Sequence, residues 1–517
     1  MSNNLDRRQF IKNAAAASIT IAGVGVLAAC SSDDASQPTQ MTPVPETEPA
    51  INWTEEIDVL VVGAGFAGLA AAIEAKQAGS SVLVIDKMQV IGGNSSINGG
   101  DMAAVGTQLQ KEAGVEDSVE LMVQDMLKAG LMYNHVEKTR TVAEKSLEAV
   151  EWATGLGVQF GKLNFHGGHS VPRTVTTINS TGADIVKAQE AKLKELGVEI
   201  RTRTKLVQII QNEQGRVIGI EALDGYKLGD ETSGDQKFIK AKKAVVMASG
   251  GFSQDVQMRI IHEPRLTDKL SSTNHAGATG EALREVLKLG AMDVHMDWIQ
   301  VGPWTSPDEK GFGYTPLFCE RLVGHSPMID PETGKRFIQE TGNRKVRADA
   351  MLALDRNTII VGDSDAIARQ IRPDVLEGGI KNGTFKAYQT LDEIAEAYSI
   401  PKEPFLAEIA RWNSFVTKGT DDDFNTLIQK GATPTQTAPF YVARLWPKVH
   451  HTMGGVVTNL KGQVINQDYQ PIQGLYAAGE VTGGTHGAVR LGSCAVTDCI
   501  VFGRIAGQEA SKEQPIT

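Results

Sequence analysis

Six residues, Gly63-Ala64-Gly65-Phe66-Ala67-Gly68, limit what this chain can fold into more than any other stretch. The apolar run Ile57-Asp58-Val59-Leu60-Val61-Val62 before them reads as a buried strand, and residues 69–78 after them as a helix. A second strand, residues 81–85, ends at Asp86. This is GxGxxG in its full βαβ setting. Its glycines permit the tight turn, the approach of backbone to a pyrophosphate and close helix packing. Asp86 lies 18 residues beyond Gly68, where it would hydrogen-bond a ribose. The expectation is an α/β fold holding a dinucleotide.

The remaining composition narrows the chemistry. A chain of 517 residues is long enough for two or three domains. Its net charge of −11 opposes nucleic acid, whose phosphates reward a basic surface. The four cysteines, Cys30, Cys319, Cys494 and Cys499, form no CxxCH haem attachment and no zinc or iron–sulfur spacing. Any redox group is therefore expected to be organic, with no metal. The first thirty residues read as an address. Asp6-Arg7-Arg8-Gln9-Phe10-Ile11-Lys12 resembles a twin-arginine export motif, an apolar run follows, and Leu27-Ala28-Ala29-Cys30 resembles a lipobox. Residues 1–29 are thus expected to be a signal peptide and 30–54 a flexible tether, with a lipid anchor at Cys30 and a periplasmic location.

Two later segments repeat the strand-into-glycine pattern: Ala244-Val245-Val246-Met247-Ala248-Ser249-Gly250-Gly251 and Gly474-Leu475-Tyr476-Ala477-Ala478-Gly479-Glu480. With them come Val449-His450-His451-Thr452-Met453-Gly454-Gly455 and Gly483-Gly484-Thr485-His486-Gly487-Ala488-Val489-Arg490-Leu491-Gly492. Over about residues 55–512 the chain resembles the fumarate reductase and succinate dehydrogenase flavoproteins. It is most similar to the soluble periplasmic flavocytochrome c branch of fumarate, urocanate and related enoate reductases, without their haem domain. The resemblance implies a Rossmann-like FAD-binding domain of the GR2 type, built from residues 55–296 and 450–512. An inserted α+β capping (clamp) domain, residues 297–449, would close over the flavin.

The resemblance also assigns residues. Gly63, Gly65, Ala67, Gly68, Asp86, Asn94, Ser95, Gly99, Gly100, Val207, Gly250, Glu281, His451, Glu480, Ala495 and Val496 fall at FAD contacts. Members that bond FAD covalently use a histidine on the loop at residues 92–100. This chain has none there, so FAD is expected to be non-covalent. His450, Arg490 and Ser493 fall at substrate contacts, and Arg344 at the catalytic arginine that protonates the substrate. Glu320 matches the carboxylate that reprotonates it. The relay's second arginine would stand at Val323, so Arg321 is the candidate replacement.

Residues 300–304, Gln300-Val301-Gly302-Pro303-Trp304, depart from the pattern QxHPT of the fumarate reductases. Gly302 replaces the histidine and Trp304 the threonine, while Cys319 stands where a second hydroxyl would be. The polar groups for a second carboxylate are therefore missing, and burying that charge unpaired costs several kcal/mol. The pocket reads as one for a monocarboxylate, with Gly302 making room for a bulky or aromatic group beside Trp304. The expected function is reduction of the C=C bond of such an enoate, as in cinnamate- or urocanate-like acids. Electrons would come from an external donor, such as a periplasmic c-type cytochrome or a quinol-oxidising membrane protein. Fumarate reduction is one alternative. A ketosteroid-dehydrogenase-like activity is another, although those enzymes lack the set Arg344, His450 and Arg490. A non-catalytic flavin-binding lipoprotein would have no reason to keep those three cations.

Overall fold

Val59, Leu60 and Val61 are wholly shut off from water, which requires helices on both faces of the strand that carries them. That strand, β1 (Glu55–Val62), leads through the glycine turn into α1 (Phe66–Gln77), β2 (Val82–Asp86) and, after a long excursion, β3 (Glu199–Thr202) and β4 (Asp235–Met247). A second segment enters on β5 (Ile299–Gly302), carries α2 (Thr315–Leu322) and α3 (Arg344–Leu354), and leaves on β6 (Lys448–Thr452). The chain then returns to the first sheet with β7 (Pro471–Ala477) and finishes on α4 (Cys494–Ser511). These elements come from a computed structural model that describes residues 51–516. The twin-arginine segment, Cys30 and the tether to residue 50 lie outside the described residues. Trp53 and Thr54, expected in the tether, already belong to the fold. The Thr54 N–H donates to Phe238 O at 2.8 Å, and the Trp53 ring packs on Gly219.

The parallel core runs β7–β4–β1–β2–β3, so strands from both chain ends lie side by side. This is the α/β architecture the glycine motif calls for. The two helices that flank the chain ends also meet. A Cβ on Gly503 would fall 2.4 Å from Ala67 O and one on Gly507 2.2 Å from Ala71 O, so α4 lies backbone-to-backbone on α1. That contact holds Arg490 and Ser493, just before α4, over the N-terminus of α1.

The inserted segment has its own antiparallel sheet, in the order Lys335–Arg336, Met328–Asp330, Thr358–Gly362, Phe440–Leu445, Phe385–Tyr388. Helix Lys402–Lys418 covers it with Phe405, Ile409 and Trp412. Where the segment enters and leaves, β5 and β6 pair antiparallel. Gln300 faces His451 and Val301 faces Val449, which leaves His450 as the extra residue of a bulge. A bulge re-aims a side chain, and here it turns His450 toward the cleft between the two sheets.

Candidate active site

Two cavities meet along the C-terminal edge of the parallel sheet, the place where open α/β sheets bind ligands. The first encloses about 1000 Å³ and the second about 1080 Å³. Phe66, Asn94, Ser95, Glu480 and Cys499 line both, so they form one elongated groove.

The first cavity is a backbone cradle. Gly63 has φ +108°, and a Cβ there would fall 2.3 Å from Ala248 O. Gly65, Ala67, Asp86, Gly250 and Glu281 line the same wall. Both Asp86 oxygens accept backbone N–H groups, from Ala64 at 2.9 Å and Met88 at 2.8 Å, which leaves their remaining lone pairs for a ribose. Burial raises the Asp86 carboxyl above its ordinary range. Glu281 is held by Lys87 at 2.7 Å. Ser95 Oγ accepts the Phe66 N–H at 3.0 Å and so closes the first turn of α1. Three expected contacts do not face the groove. Gly68 packs beneath the turn, against Gly63 O. Gly100 is wedged against Thr177 and Thr181. Thr204, Lys205 and Leu206 line the groove where Val207 was expected. A slot that only glycine backbone permits, with carboxylates at its far end and a broad cavity at the other, fits FAD. Asn94, Gly99, His451, Glu480, Ala495 and Val496 surround the broad end.

The second cavity is cationic. Arg344, at the start of α3, and Arg490, before α4, converge on one carboxamide. Gln300 Oε1 accepts from Arg344 Nη1 at 3.2 Å and from Arg490 Nη2 at 3.1 Å, while Gln300 Nε2 donates to Arg490 O at 2.9 Å. Among the described residues, no carboxylate pairs with either guanidinium. Burial, with Arg344 beside it, pushes Arg490 down to about 9; burial also lowers Arg344, with Arg347 adding to the effect. An anion bound here would restore both. His450 lines the same wall, with Nδ1 hydrogen-bonded to Thr273 Oγ1 at 2.8 Å. Burial and the two arginines keep its imidazole neutral.

The expected relay is changed in one member. Glu320 lines the cavity, but its guanidinium partner is Arg347, one helical turn beyond Arg344, with Nη2 to Oε1 at 2.7 Å. Arg321 instead approaches Asp101, at 4.0 Å. Burial alone would raise the Glu320 carboxyl; Arg347, then Arg344, outweigh it and hold it below the usual carboxylate range. Sequence spacing suggested Arg321 because it is adjacent in the chain. On a helix, adjacent residues point about 100° apart, so Arg321 turns away from Glu320, and the partner comes from the neighbouring helix instead. The same geometry corrects Cys319, which is fully buried in the cap core and does not line the cavity.

Gly302 is also corrected. It lies under the Trp304 indole, whose ring atoms would stand 3.0–3.2 Å from a Cβ at that position. The space the glycine leaves is therefore filled by Trp304 itself. That ring is 2% exposed, meets His450 edge-on at 4.7 Å and carries the Arg344 guanidinium at 5.1 Å. Phe312, which the sequence did not single out, completes the apolar wall. Ser493 lines the cavity with its hydroxyl bonded to Thr174 at 2.7 Å.

Residues 58–496 match the family described as FAD binding domain. The chain belongs to this FAD-binding flavoprotein family. Its cofactor is FAD, and its relatives are oxidoreductases. An acrylate reductase flavoprotein subunit from Shewanella woodyi is 40% identical over 98% of this chain and 99% of its own length. A urocanate reductase from Eggerthella lenta is 33% identical over 89% of this chain and 75% of its own. Among solved structures, the open conformation of a flavocytochrome c3 fumarate reductase superposes with a TM-score of 0.73, at 33% identity over 89% of this chain and 79% of that one. In this flavoprotein, then, the fumarate-reductase-like fold surrounds a cavity lined by Trp304, with Gly302 packed beneath that ring.

The Glu320–Arg347 pair gives a direct check. Arg347→Met should destabilise the protein by about 3–5 kcal/mol, the cost of leaving one buried charge unpaired. Because Arg347 holds the carboxyl low, the pair's contribution is present above the unfolded glutamate pKa and is lost as pH falls. Thermal unfolding at pH 7 should show Arg347→Met with Glu320→Gln recovering much of that loss. If the double variant is no more stable than Arg347→Met alone, the pairing is wrong.

Proposed function

We propose that this flavoprotein is an enoate reductase whose substrate carries one carboxylate and a compact, uncharged β-carbon end, of which acrylate is the type. The observation that carries it is the filling of the space at Gly302 by Trp304, beside two arginines that have no carboxylate partner among the described residues.

The cavity residues divide the work. Arg344 and Arg490 bind the carboxylate oxygens, which suits their planar, multi-donor heads. Gln300 fixes the spacing of the two. His450, neutral and anchored by Thr273, presents Nε2 to the same end. Charge that develops on the substrate as it is reduced is met by groups already in place. Trp304 and Phe312 exclude water and set the length of the site. FAD, which the glycine cradle with Asp86 and Glu281 would hold non-covalently, would when reduced supply a hydride for the β-carbon. Arg344 gives the α-carbon a proton, which its lowered pKa and the basicity of a carbanion-like carbon permit. Glu320, held ionised at rest by Arg347, is placed to take up a new proton and pass it to the deprotonated Arg344. A second carboxylate would meet indole and phenyl rings that carry no charge to pair with it, and buried unpaired charge is rejected far more strongly than an extra methylene.

The location and the electron supply are part of the same reading. They rest on the sequence alone: the Arg7-Arg8 motif, the Cys30 lipobox and the absence of a second redox motif. The holoprotein is read as exported and lipid-anchored, receiving electrons from a c-type cytochrome or a quinol-oxidising protein. Changing Arg7 and Arg8 to lysine should leave FAD-loaded protein in the cytoplasm on cell fractionation. Its arrival in the periplasm would reject the export route.

Substrate choice is checked by steady-state reduction with reduced methyl viologen as donor. kcat/KM should be highest for acrylate and about a hundredfold or more lower for fumarate, as expected when buried groups are left unpaired. Trp304→Ala should raise activity toward cinnamate-like acids while acrylate turnover falls. Fumarate turned over at least as well as acrylate would overturn the assignment.

A further inference from the structure

We propose that His166 and Asp101 form the inlet through which solvent protons reach Glu320. This rests on the reading of Arg344 as the proton donor. Reduction of one C=C bond takes up one hydride and one proton, so Arg344 must be reloaded once per turnover. Glu320 can reload it only by drawing a proton in turn.

Glu320 is 14% exposed, and the charged or titratable side chains that act on it are Arg347, Arg344 and His166. Arg347 is a cation 1% exposed, packed inside the cap, and leads nowhere. On the open side stands His166, from the FAD-binding domain, in the loop after strand Phe160–Asn164. Its side chain is 10% exposed, it lines the same cavity as Glu320 and Arg344, and neither ring nitrogen has a hydrogen-bond partner. Two unpartnered buried nitrogens are costly unless something transient uses them. His166 Nε2 faces Asp101 Oδ2 at 3.6 Å. The other Asp101 oxygen is taken by the Thr176 hydroxyl, with Arg321 at 4.0 Å. Asp101 lines the cavity and is 18% exposed, whereas both His166 ring nitrogens are buried.

Burial holds the imidazole neutral, with a pKa near 4. Asp101 and Glu320 oppose that effect, and Arg321 and Arg344 reinforce it. A neutral imidazole has one donor and one acceptor nitrogen, so it passes a proton by taking one while releasing another. In sequence, Arg344 loses an N–H proton to the α-carbon; His166 then protonates the ionised Glu320 across cavity water and takes its replacement from solvent by way of Asp101; Glu320 passes its proton to Arg344 and is ionised again. The net uptake is one proton. Asp101 and His166 stand on one domain and Glu320 and Arg344 on the other, so the path exists only with the cap seated, when substrate is enclosed.

The test uses FAD-loaded protein and viologen-driven acrylate reduction. His166→Ala and Asp101→Asn should each lower kcat by about tenfold or more, with KM little changed and a larger solvent deuterium isotope effect on kcat. Added imidazole should restore His166→Ala in a concentration-dependent way, which a merely structural role would not allow. Dithionite reduction of the bound FAD should match wild type. The inlet is rejected if both variants keep kcat within about twofold, or if the loss is confined to KM and imidazole does nothing. If His166→Ala loses FAD, Asp101→Asn decides by the same kcat and isotope readouts. Wild-type protein that reduces no enoate would reject the functional reading itself; wild type active with both variants unimpaired would reject only the inlet.

Discussion

Two guanidinium groups share one carbonyl oxygen at the centre of this protein. Arg344 and Arg490 each donate to Gln300 Oε1, so they are held within about 6 Å of each other, where like charges repel by on the order of 3 kcal/mol at an effective dielectric of 20. Among the described residues no carboxylate pairs directly with either, although Glu320 acts on Arg344 and Glu480 on Arg490 at longer range. The fold sustains this arrangement because each member sits on a different, independently braced element: Gln300 on the entry strand of the cap, Arg344 at the first turn of α3, Arg490 in front of α4. The unmet charge belongs to a ligand, and its geometry asks for a carboxylate.

That arrangement explains why the chain is wound as it is. Arg490 reaches the groove because α4 lies on α1 through Gly503 and Gly507, which brings the C-terminus back to the first βα turn. His450 faces the cleft because the exit strand of the cap bulges by one residue. Trp304 closes the site because Gly302 lets its indole fold flat. The cofactor cradle and the anion seat therefore each draw on stretches far apart in sequence, while the apolar end wall, Trp304 and Phe312, comes from the same stretch as Gln300.

Much of this was legible in the sequence, and the exceptions have physical reasons. Gly63 to Gly68 specified the turn because backbone geometry there admits little else. His450, Arg344, Arg490 and Trp304 could be gathered into one site because each sits in a short, distinctive run. What sequence could not convey was direction. Cys319 and Arg321 flank Glu320 in the chain, yet one points into the cap core and the other toward Asp101. Gly302 suggested open space, but a neighbour two residues on filled it. Arg347, His166, Asp101 and Phe312 carried no motif. An i,i+3 scan from Arg344 along the helix would have found Arg347, whereas His166 and Asp101 meet the cap only through tertiary structure.

The central claim is that the paired arginines seat one carboxylate and that the cavity refuses a second. Calorimetric titration of the oxidised FAD-loaded protein measures this without turnover, using the saturated acids propionate and succinate. The account predicts one propionate per FAD, with affinity weakened when Gln300 is changed to Met, and succinate bound at least about tenfold more weakly, a difference of about 1.4 kcal/mol or more. Succinate bound as tightly as propionate would contradict it, because some group would then be holding the second carboxylate.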